Sequence, residues 1–345
     1  MARSDSALWL TATAFSVLIP LSIAVNTPIP ATVAVESRSP LIQQWRDARL
    51  RHQLDGHTTT VDALIFSPDS QVLISGGAQN DPTIRRWSVQ TGRQLDNQRA
   101  QATSVEALAI GADGRILASS GGDTGIHIWQ NGRYERAIIN HFHNILALAI
   151  SPDGRVLVSG GLDGIRVWDL IAQRPLYTLA RFGTPTYKLA ISTDGYTLAS
   201  GGRDGRVQLW DLRTGDRLGE WQAPDLGPVT ALAFTPDGET LLAGGDDRLI
   251  YIWDLATGET VRPPLRGHTG EIRALTVHPS GEFFASASDD GARLWELPSG
   301  DPIGQLNAHQ DWTHSLAFSP DGRFLATGSY DRQIAIWEAL TEGQF

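Results

Sequence analysis

Residues 189–212 read LAISTDGYTLASGGRDGRVQLWDL, and the same phrase returns as LAFTPDGETLLAGGDDRLIYIWDL at 232–255 and as LAFSPDGRFLATGSYDRQIAIWEA at 316–339. Alternating apolar residues in each phrase predict β-strands, and the Asp-Gly pair that interrupts them predicts a hairpin turn. A second turn follows the Gly-Gly or Gly-Ser pair, and the third strand ends on tryptophan. An Asp-Leu-x-Thr-Gly turn then leads into a fourth strand, so each repeat predicts four short antiparallel strands.

A periodic tryptophan shows how often the phrase occurs. Seven of the eleven tryptophans lie 39 to 43 residues apart, namely Trp87, Trp129, Trp168, Trp210, Trp253, Trp295 and Trp337. Repeats of about 40 residues with four strands each are typical of propeller blades. The sequence therefore predicts an all-β, seven-bladed β-propeller of four-stranded antiparallel blades.

The two ends of the repeat array predict how the ring closes. Only eight residues follow Trp337, too few for a turn and a fourth strand. The segment ARLRHQLDGH before His57 matches ETVRPPLRGH before His268, where a fourth strand is expected. Residues 48 to 54, approximately, should complete the seventh blade, because an open ring would expose an unpaired strand edge and apolar surface.

Composition agrees with a turn-rich fold and narrows the function. The 345 residues include 35 Gly and 18 Pro but no Cys, which rules out disulfides and thiolate metal sites. The net charge of −10 disfavours nucleic acid as a partner, because such binding depends on neutralising phosphates. We expect a protein or peptide partner and a monomeric propeller.

The chain before the repeats has a different character. Residues 7–25 form an uncharged apolar run after Arg3, a layout typical of a cleaved signal peptide or a retained membrane anchor, with an ordinary apolar tail as the third interpretation. We therefore divide the chain into a signal peptide or anchor (1–25), a proline-containing linker (26–45) and the propeller (46–345). This predicts an extracytoplasmic or membrane-anchored protein, with possible attachment through residues 7–25, and suggests a bacterial chain.

The repeats carry a family resemblance over residues 46 to 345, approximately. Trp-Asp pairs stand at 168–169, 210–211 and 253–254, and Gly-His pairs stand at 56–57 and 267–268. The chain thus resembles the WD40-repeat family, in which many blades hold a buried hydrogen-bonded network of His, Ser or Thr, Asp and Trp.

The resemblance implies a complete network in four blades. The residues are His57, Ser75, Asp81 and Trp87; His141, Ser159, Asp163 and Trp168; His268, Ser286, Asp290 and Trp295; and His309, Thr327, Asp331 and Trp337. Gln101, Phe182 and Asp225 replace the histidine in blades two, four and five, and Ala243 replaces the serine in blade five. We expect those three networks to be broken.

The network residues also resemble a hydrolase triad, but the pattern argues against catalysis. A Ser-His-Asp group that recurs once per blade indicates packing rather than a unique active site. The carboxylate pairs Asp246-Asp247 and Asp289-Asp290 each contain the residue at the network position, and we predict no metal site and no cofactor. Gly-rich stretches such as SGGRDGR precede strands, so they are turns rather than phosphate loops.

The rim of the channel is the predicted binding surface. Resemblance to the beta subunit of heterotrimeric G proteins implies that residues around the start of the first strand, and the residue before the network Asp, meet partners. These positions give a first group on blades six and seven, Trp312, His314, Tyr330, Arg273 and Asp289, and a second on blades three and four, Tyr187, Leu146, Leu162 and Arg203. An aromatic residue beside an arginine is the composition of a binding hot spot, although Trp312 could instead only cover the channel mouth.

Three functions compete on this evidence. The first is a non-catalytic interaction scaffold that binds a protein or peptide on the rim. The second is an extracytoplasmic assembly factor of an envelope or membrane complex, suggested by residues 1–25. The third is an enzyme that uses the central channel, which the recurrence of every candidate group disfavours.

Overall fold

The computed structural model describes residues 39–139, 141–181, 185–222 and 227–340. The chain enters through a short helix, α1 (Pro40–Arg46), and a strand, β1 (Arg49–Leu54). The strands that follow form seven small antiparallel sheets, each of which is one blade. The first strands of successive blades pack against one another, and those of the last and first blades do so too, which closes a seven-bladed β-propeller.

The strands follow the predicted repeat. Blade one contains β2 (Val61–Phe66), β3 (Val72–Gly77), β4 (Thr83–Ser88) and β5 (Gln94–Arg99). Blade two contains β6 (Val105–Ile110), β7 (Ile116–Gly121), β8 (Gly125–Gln130) and β9 (Arg133–Ile139). Blade three contains β10 (Ile145–Ile150), β11 (Val156–Gly161), β12 (Gly164–Asp169) and β13 (Arg174–Arg181). Blade four contains β14 (Thr186–Ile191), β15 (Thr197–Gly202), β16 (Arg206–Asp211) and β17 (Arg217–Gln222).

The remaining blades repeat the pattern with two variations. Blade five contains β18 (Val229–Phe234), β19 (Thr240–Gly245) and β20 (Ile250–Asp254). Blade six contains β21 (Ile272–Val277), β22 (Phe283–Ser288), β23 (Gly291–Glu296) and β24 (Pro302–Leu306). Blade seven contains β25 (Thr313–Phe318), β26 (Phe324–Ser329) and β27 (Ile334–Glu338), with β1 as its fourth strand.

The closure of the ring is confirmed in detail. β1 runs antiparallel to β27, with Arg49 opposite Glu338 and Leu54 opposite Ile334. Side-chain contacts reinforce the ladder, because Arg51 lies 2.6 Å from the Glu338 carboxylate. The residues before the first repeat therefore complete the last blade.

The hairpin between the first two strands of each blade is built from its own residues. In blade three, Ser151 Oγ accepts a hydrogen bond from the Val156 amide at 2.9 Å, and Asp153 accepts one from the Arg155 amide at 3.0 Å. Gly154 has φ +72°, a left-handed conformation that glycine adopts without steric cost. The turn chemistry thus fixes where the first strand ends.

The apolar core lies between the blades. Val158 and Val167 of blade three pack with Leu198 and Trp210 of blade four, and all four side chains are buried. The sheets approach so closely that a Cβ atom on Gly201 would lie 2.5 Å from Cγ1 of Val229 in the next blade. Each blade is therefore stabilised mainly by its neighbours.

Blade five departs from the four-strand pattern. Its fourth segment is reduced to two bridges, Ile250 with Leu265 and Trp253 with Thr260. Pro263 and Pro264 lie between the bridged residues. Proline has no backbone N–H to donate, so a regular fourth strand cannot form there.

Helix α1 lies within the predicted linker, residues 26–45, and extends one residue beyond it. Ser39 caps it by accepting from the Leu41 amide at 3.2 Å, and Pro40 occupies the first turn, where a missing N–H costs little. Trp45 is buried against Phe283 and Phe318, with ring centroids 5.8 and 5.3 Å away. The end of the predicted linker is thus packed on the propeller between blades six and seven.

The predicted signal peptide or anchor, residues 1–25, and the linker up to residue 38 lie outside the described residues. Within the described ranges, no helix is both long and apolar enough to cross a membrane.

Candidate partner-binding rim

The rim is the end of the propeller where the first strand of each blade begins and the second ends. Thr186 at the start of β14 pairs with Gly202 at the end of β15, whereas the hairpin turn lies at the other end of the same strands. The predicted binding positions lie at this end, either in the loops or at the second residue of a first strand.

Blade three shows how the buried network shapes this end of the molecule. His141 places Nδ1 2.6 Å from Asp163 and Nε2 2.7 Å from Ser159 Oγ. Trp168 donates to the same Ser159 hydroxyl at 3.0 Å, and Asp163 also accepts from the Phe142 amide at 2.9 Å. The network therefore ties the loop before the first strand to the second and third strands.

The other complete networks share these bonds. Over the four blades, the His Nδ1 lies 2.5 to 3.1 Å from the carboxylate, and Nε2 lies 2.6 to 2.7 Å from the hydroxyl. The indole N–H donates to that hydroxyl at 2.7 to 3.3 Å. The residues brought together in blades one, six and seven are His57, Ser75, Asp81 and Trp87; His268, Ser286, Asp290 and Trp295; and His309, Thr327, Asp331 and Trp337.

Burial and hydrogen bonding set the charges of the network. Burial lowers the pKa of His141, which favours the neutral ring. Burial alone would raise the pKa of Asp163, but hydrogen bonds from Arg166 and His141 lower it to about 2. In blades one, three and six the group is thus a carboxylate beside a neutral imidazole, as expected of a structural element.

Sequence reasoning missed one member of this network. The residue two positions before the tryptophan reaches the network Asp in several blades: Arg166 lies 2.9 Å from Asp163, and Arg293 lies 3.0 Å from Asp290. In blade five the equivalent residue is Tyr251. The sequence indicates this role only through an arginine that recurs at this position in blades one, three and six: Arg85, Arg166 and Arg293.

In blades two, four and five, where the network histidine is replaced, the structure describes the substitute residue only in blade two. In blade two, Gln101 is buried and donates to the Ser119 carbonyl at 2.8 Å and to its hydroxyl at 3.2 Å. The amide therefore replaces the histidine's bond to the serine, but Gln101 Oε1 is buried without a hydrogen-bond partner among the described residues, so the network of this blade is incomplete. Phe182 and Asp225, at the histidine positions of blades four and five, lie outside the described residues.

The first predicted binding group forms a connected cluster, which we call the aromatic–arginine cluster: Trp312, His314, Tyr330, Arg273 and Asp289. Tyr330 contacts the Trp312 ring edge-on at 5.2 Å and the His314 ring at 5.5 Å. The Arg273 guanidinium lies 5.4 Å from the Trp312 ring centroid. Trp312 and Tyr330 remain 42% and 39% exposed although they touch each other.

Carboxylates hold the arginine of this cluster in place. Arg273 lies 3.1 Å from Asp289 and 3.0 Å from Glu271. Burial raises the pKa of Glu271 to about 7, against the opposing effect of Arg273. Burial also lowers the pKa of His314 to about 3, so this ring is neutral at physiological pH. The cluster thus presents two aromatic rings and an oriented cation.

The second predicted group is not joined in the same way. Leu162 is exposed on the rim, whereas Leu146 lines the central channel. No hydrogen bond or ion pair links the side chains of Tyr187, Leu146, Leu162 and Arg203 within the part of the chain that the structure describes. These four residues lie on the predicted blades but do not form a single cluster of polar contacts.

The channel mouth holds a further set of polar groups that sequence reasoning did not single out as a site. A cavity of about 180 Å³ is lined by Asp62, Glu106, Lys188 and His314 among other residues. The strand pattern could have revealed Lys188, because the other six blades have alanine or serine at its position. Across the described ranges, no group of three or more His, Asp or Glu residues is arranged to hold a metal ion.

Comparison with known proteins places the repeats in a family. The model of the WD40 family, described as WD domain, G-beta repeat, matches seven segments of the chain. They are residues 48–88, 92–130, 132–169, 174–211, 215–254, 259–296 and 300–338. The matched segments cover most of the chain, and each contains the fourth strand or segment of one blade followed by the first three strands of the next.

Similar individual proteins match over short stretches. Ribosome assembly protein 4 of Saccharomyces cerevisiae is 40% identical over 53 residues, which are 15% of this chain and 10% of that protein. Periodic tryptophan protein 2 of Arabidopsis thaliana is 30% identical over 95 residues, 28% of this chain and 10% of that protein. U3 small nucleolar RNA-interacting protein 2 of Mus musculus is 33% identical over 88 residues, 22% of this chain and 18% of that protein.

The matches to individual relatives are too short to transfer a function. The aligned stretches span between a tenth and a fifth of those relatives, so their whole activities do not transfer to this chain. The relatives are eukaryotic, and the comparisons give no support to the expected bacterial origin or to a signal or anchor segment. The family itself rests on the seven matched segments: the chain belongs to the WD domain, G-beta repeat family, WD40.

Proposed function

We propose that this propeller is a non-catalytic scaffold that binds a protein or peptide partner on the rim over blades six and seven. The observation that carries the proposal is the aromatic–arginine cluster, whose rings are partly exposed although they pack on each other. Tryptophan, tyrosine and arginine are the residue types enriched in binding hot spots, because they bury much area at a low entropic cost.

The geometry of the cluster supports a preformed surface. The Tyr330 amide donates to the Trp312 carbonyl at 3.0 Å, which joins the two rim loops of blade seven. Arg273 is fixed by two carboxylates and lies against the Trp312 ring. Side chains that are already ordered lose less entropy when a partner binds, so more of the contact energy becomes affinity.

Charge and similarity bear on the kind of partner. The net charge of −10 favours a protein over a nucleic acid. Ribosome assembly protein 4 is named for the assembly of a large complex, and this chain shares its repeat. We carry over only the general role, a scaffold within an assembly, to the present chain.

The recurrence of the polar groups supports the non-catalytic part of the proposal. The Ser, His and Asp residues meet in four blades with nearly the same distances. In those groups the serine or threonine hydroxyl lies in the interior, bonded to tryptophan. A hydroxyl held in this way is not presented to a substrate.

A double substitution tests the binding surface. Trp312→Ala with Tyr330→Ala should weaken capture of the partner at least about thirtyfold, equivalent to about 2 kcal/mol. Affinity is measured with the captured partner after its identification by pull-down, and thermal melting checks the fold. The melting temperature should change little, because neither side chain belongs to a buried network.

Tyr196→Ala provides a matched control. Tyr196 is also an exposed aromatic residue beside an arginine, with Arg213 4.9 Å from its ring, but it lies at the hairpin-turn end of blade four. This variant should bind the partner as the wild type does. Undiminished capture by the folded double variant would contradict the proposed surface and direct attention to Tyr187, Leu146 and Arg203.

The location of the protein forms a second proposal. We propose that the propeller acts outside the cytoplasm, as an assembly factor of an envelope or membrane complex, on the basis of the apolar run at residues 7–25. Cell fractionation with and without residues 1–25 tests it. Recovery of the full-length chain in the soluble cytoplasmic fraction would contradict it.

A further inference from the structure

The chain contains a single lysine, and its position in the repeat is unusual. Lys188 is the one lysine in the 345-residue sequence, in which the other basic residues are arginines. It lies in β14, the first strand of blade four. At the equivalent position the other blades have only small residues: Ala63, Ala107, Ala147, Ala231, Ala274 and Ser315. Blade packing does not require a long charged side chain here.

The lysine lines the cavity at the rim end of the central channel. This cavity has a volume of about 180 Å³. Each blade contributes a leucine one position after the small residue, and these seven line the same cavity: Leu64, Leu108, Leu148, Leu189, Leu232, Leu275 and Leu316. The leucine side chains offer no hydrogen-bonding group, while Glu106 accepts a hydrogen bond from Ser104 Oγ at 3.0 Å.

The charges of the cavity are separated into two poles. Asp62 and Glu106 come from blades one and two and His314 from blade seven, whereas Lys188 comes from blade four, on the far side of the ring. Within the described part of the chain, no ion pair within 4.0 Å joins Lys188 to either carboxylate. Its charge still acts on both of them across the cavity.

Neither pole is fully compensated by the protein. Burial raises the pKa of Asp62 to about 7 and raises that of Glu106, while burial lowers the pKa of Lys188. Each shift has the sign expected when a buried charge lacks sufficient counter-charge. The groups are therefore held at a cost that a ligand of matching charge would reduce.

His314 adds an unused hydrogen-bonding atom to the acidic pole. Its Nδ1 atom is buried without a hydrogen-bond partner among the described residues, 3.4 Å from Asp62 Oδ1. Together with the two carboxylates, the neutral His314 ring lines the cavity that an ammonium would occupy. An ammonium has three N–H bonds to donate.

We propose that the channel mouth is a binding site for a small zwitterion of the amino-acid class, with its ammonium between Asp62, Glu106 and His314 and its carboxylate on Lys188. A single ligand of this kind meets both poles, whereas a simple cation or anion meets one and is repelled by the other. The cavity volume suits a ligand with few heavy atoms. The site shares His314 with the aromatic–arginine cluster, whereas Lys188 and Glu106 lie outside that cluster, so changes at these two residues test the site separately from partner binding.

The single lysine makes the site directly observable. Protein grown with lysine that is isotope-labelled at Cε and Nζ gives one side-chain NMR signal, from Lys188. The full chain is titrated with γ-aminobutyrate and glycine as zwitterions, and with butyrate and butylammonium as their half-ligands. The zwitterion should shift the Lys188 signal and bind at least about tenfold more tightly than either half-ligand.

Two variants identify the poles. Lys188→Ala restores the small residue of the other blades, and zwitterion affinity, measured by calorimetry, should fall to that of butylammonium. Glu106→Gln keeps the size of its side chain, and affinity should fall towards that of butyrate. Arg115→Ala, an exposed change in the hairpin turn of blade two, is the control and should leave zwitterion affinity unchanged.

Two results would overturn the inference. One is the absence of a zwitterion-induced shift of the Lys188 signal, and of calorimetric heat, up to about 10 mM ligand, which is about tenfold above a Kd of 1 mM. The other is equal affinity for zwitterion and half-ligands, or unchanged affinity in a folded Lys188→Ala or Glu106→Gln variant. Partner capture in the same Lys188→Ala protein reports separately on the proposed scaffold function.

Discussion

Blades three and five occupy equivalent places in the ring but satisfy their buried polar groups differently. In blade three, His141, Ser159, Asp163 and Trp168 form the complete network, with Arg166 also on the aspartate. In blade five, alanine replaces the serine, and the hydroxyl of Tyr251, two positions before the tryptophan, donates to Asp247 at 2.7 Å. The Tyr251 ring stacks on Trp253 at 5.5 Å.

The difference shows which residues of the repeat are needed for the strands of a blade to form. Both blades keep their first three strands, the hairpin turn and the buried tryptophan. What the two blades also share is an aspartate that receives a hydrogen bond from the third strand. The complete network is thus one of several ways to satisfy this carboxylate, and it should contribute to stability rather than to strand formation.

The largest effect expected from this comparison comes from the aspartates. Asp163→Ala should lower the free energy of unfolding by about 3–5 kcal/mol, because it leaves Arg166 buried without its counter-charge and His141 without its acceptor. Asp247→Ala, the matched change in blade five, should cost less, about 1–3 kcal/mol, because it leaves the neutral Tyr251 hydroxyl without its acceptor. Urea unfolding of both variants measures the difference, and equal losses would show that the two blades are energetically alike.

A smaller effect is expected at the hydroxyl groups. Ser159→Ala should destabilise the fold by about 1–3 kcal/mol, because His141 Nε2 and the Trp168 indole N–H lose their shared partner in the interior. Tyr251→Phe in blade five keeps the stacked ring and removes one hydrogen bond, so it should cost about 0.5–1.5 kcal/mol. The prediction fails if Tyr251→Phe is the more damaging change in chemical denaturation.

The smallest expected effect concerns how the free energy of unfolding depends on pH. Blade three contributes to this dependence, whereas blade five does not. Burial lowers the pKa of His57, His141 and His268 below 6.5, so below that pH the unfolded chain binds more protons than the folded one. These histidines should therefore lower the free energy of unfolding as the pH decreases from 7 through 6.5 towards 5, while Asp62 and Glu271, whose pKa is raised to about 7, act in the opposite direction. Blade five has no histidine in its strands and adds nothing to this slope.

His141→Gln isolates the contribution of blade three. Blade two already places a glutamine at this position, where it bonds to Ser119. The variant should fold and should show a shallower loss of stability between pH 7 and 5, measured by urea unfolding at each pH. An unchanged slope would mean that His141 does not titrate with unfolding.

The fold could be read from the sequence because its signals repeat. Seven tryptophans in phase identified the blades, and the resemblance of ARLRHQLDGH to ETVRPPLRGH identified the closing strand, now seen as β1 on β27. The departures from the predicted structure come from substitutions that occur in single blades. Pro263 and Pro264 reduced the fourth strand of blade five, and Gln101 took over a role assigned to histidine.

The rim could be predicted only in part, for a physical reason. Trp312, Tyr330 and Arg273 stand out because strand pairing does not demand them, and the structure brings them together. Lys188 carries the same kind of signal, a long side chain among alanines, yet it appears only when the first strands are aligned with one another. Contacts across the channel join residues that are far apart in sequence, and no spacing rule reports them.

The closing strand also determines how the ring responds to a pulling force. The start of β1 lies beside the end of β27, with Arg49 opposite Glu338, so tension applied to the two ends of the propeller would open this ladder one pair at a time. Hydrogen bonds loaded in sequence resist less than bonds loaded together. Trp45, buried on the propeller just before β1, stands between the pulled end and the first pair. Its extraction would be the first mechanical barrier. Helix α1 would thus protect the ladder between β1 and β27 from being pulled apart.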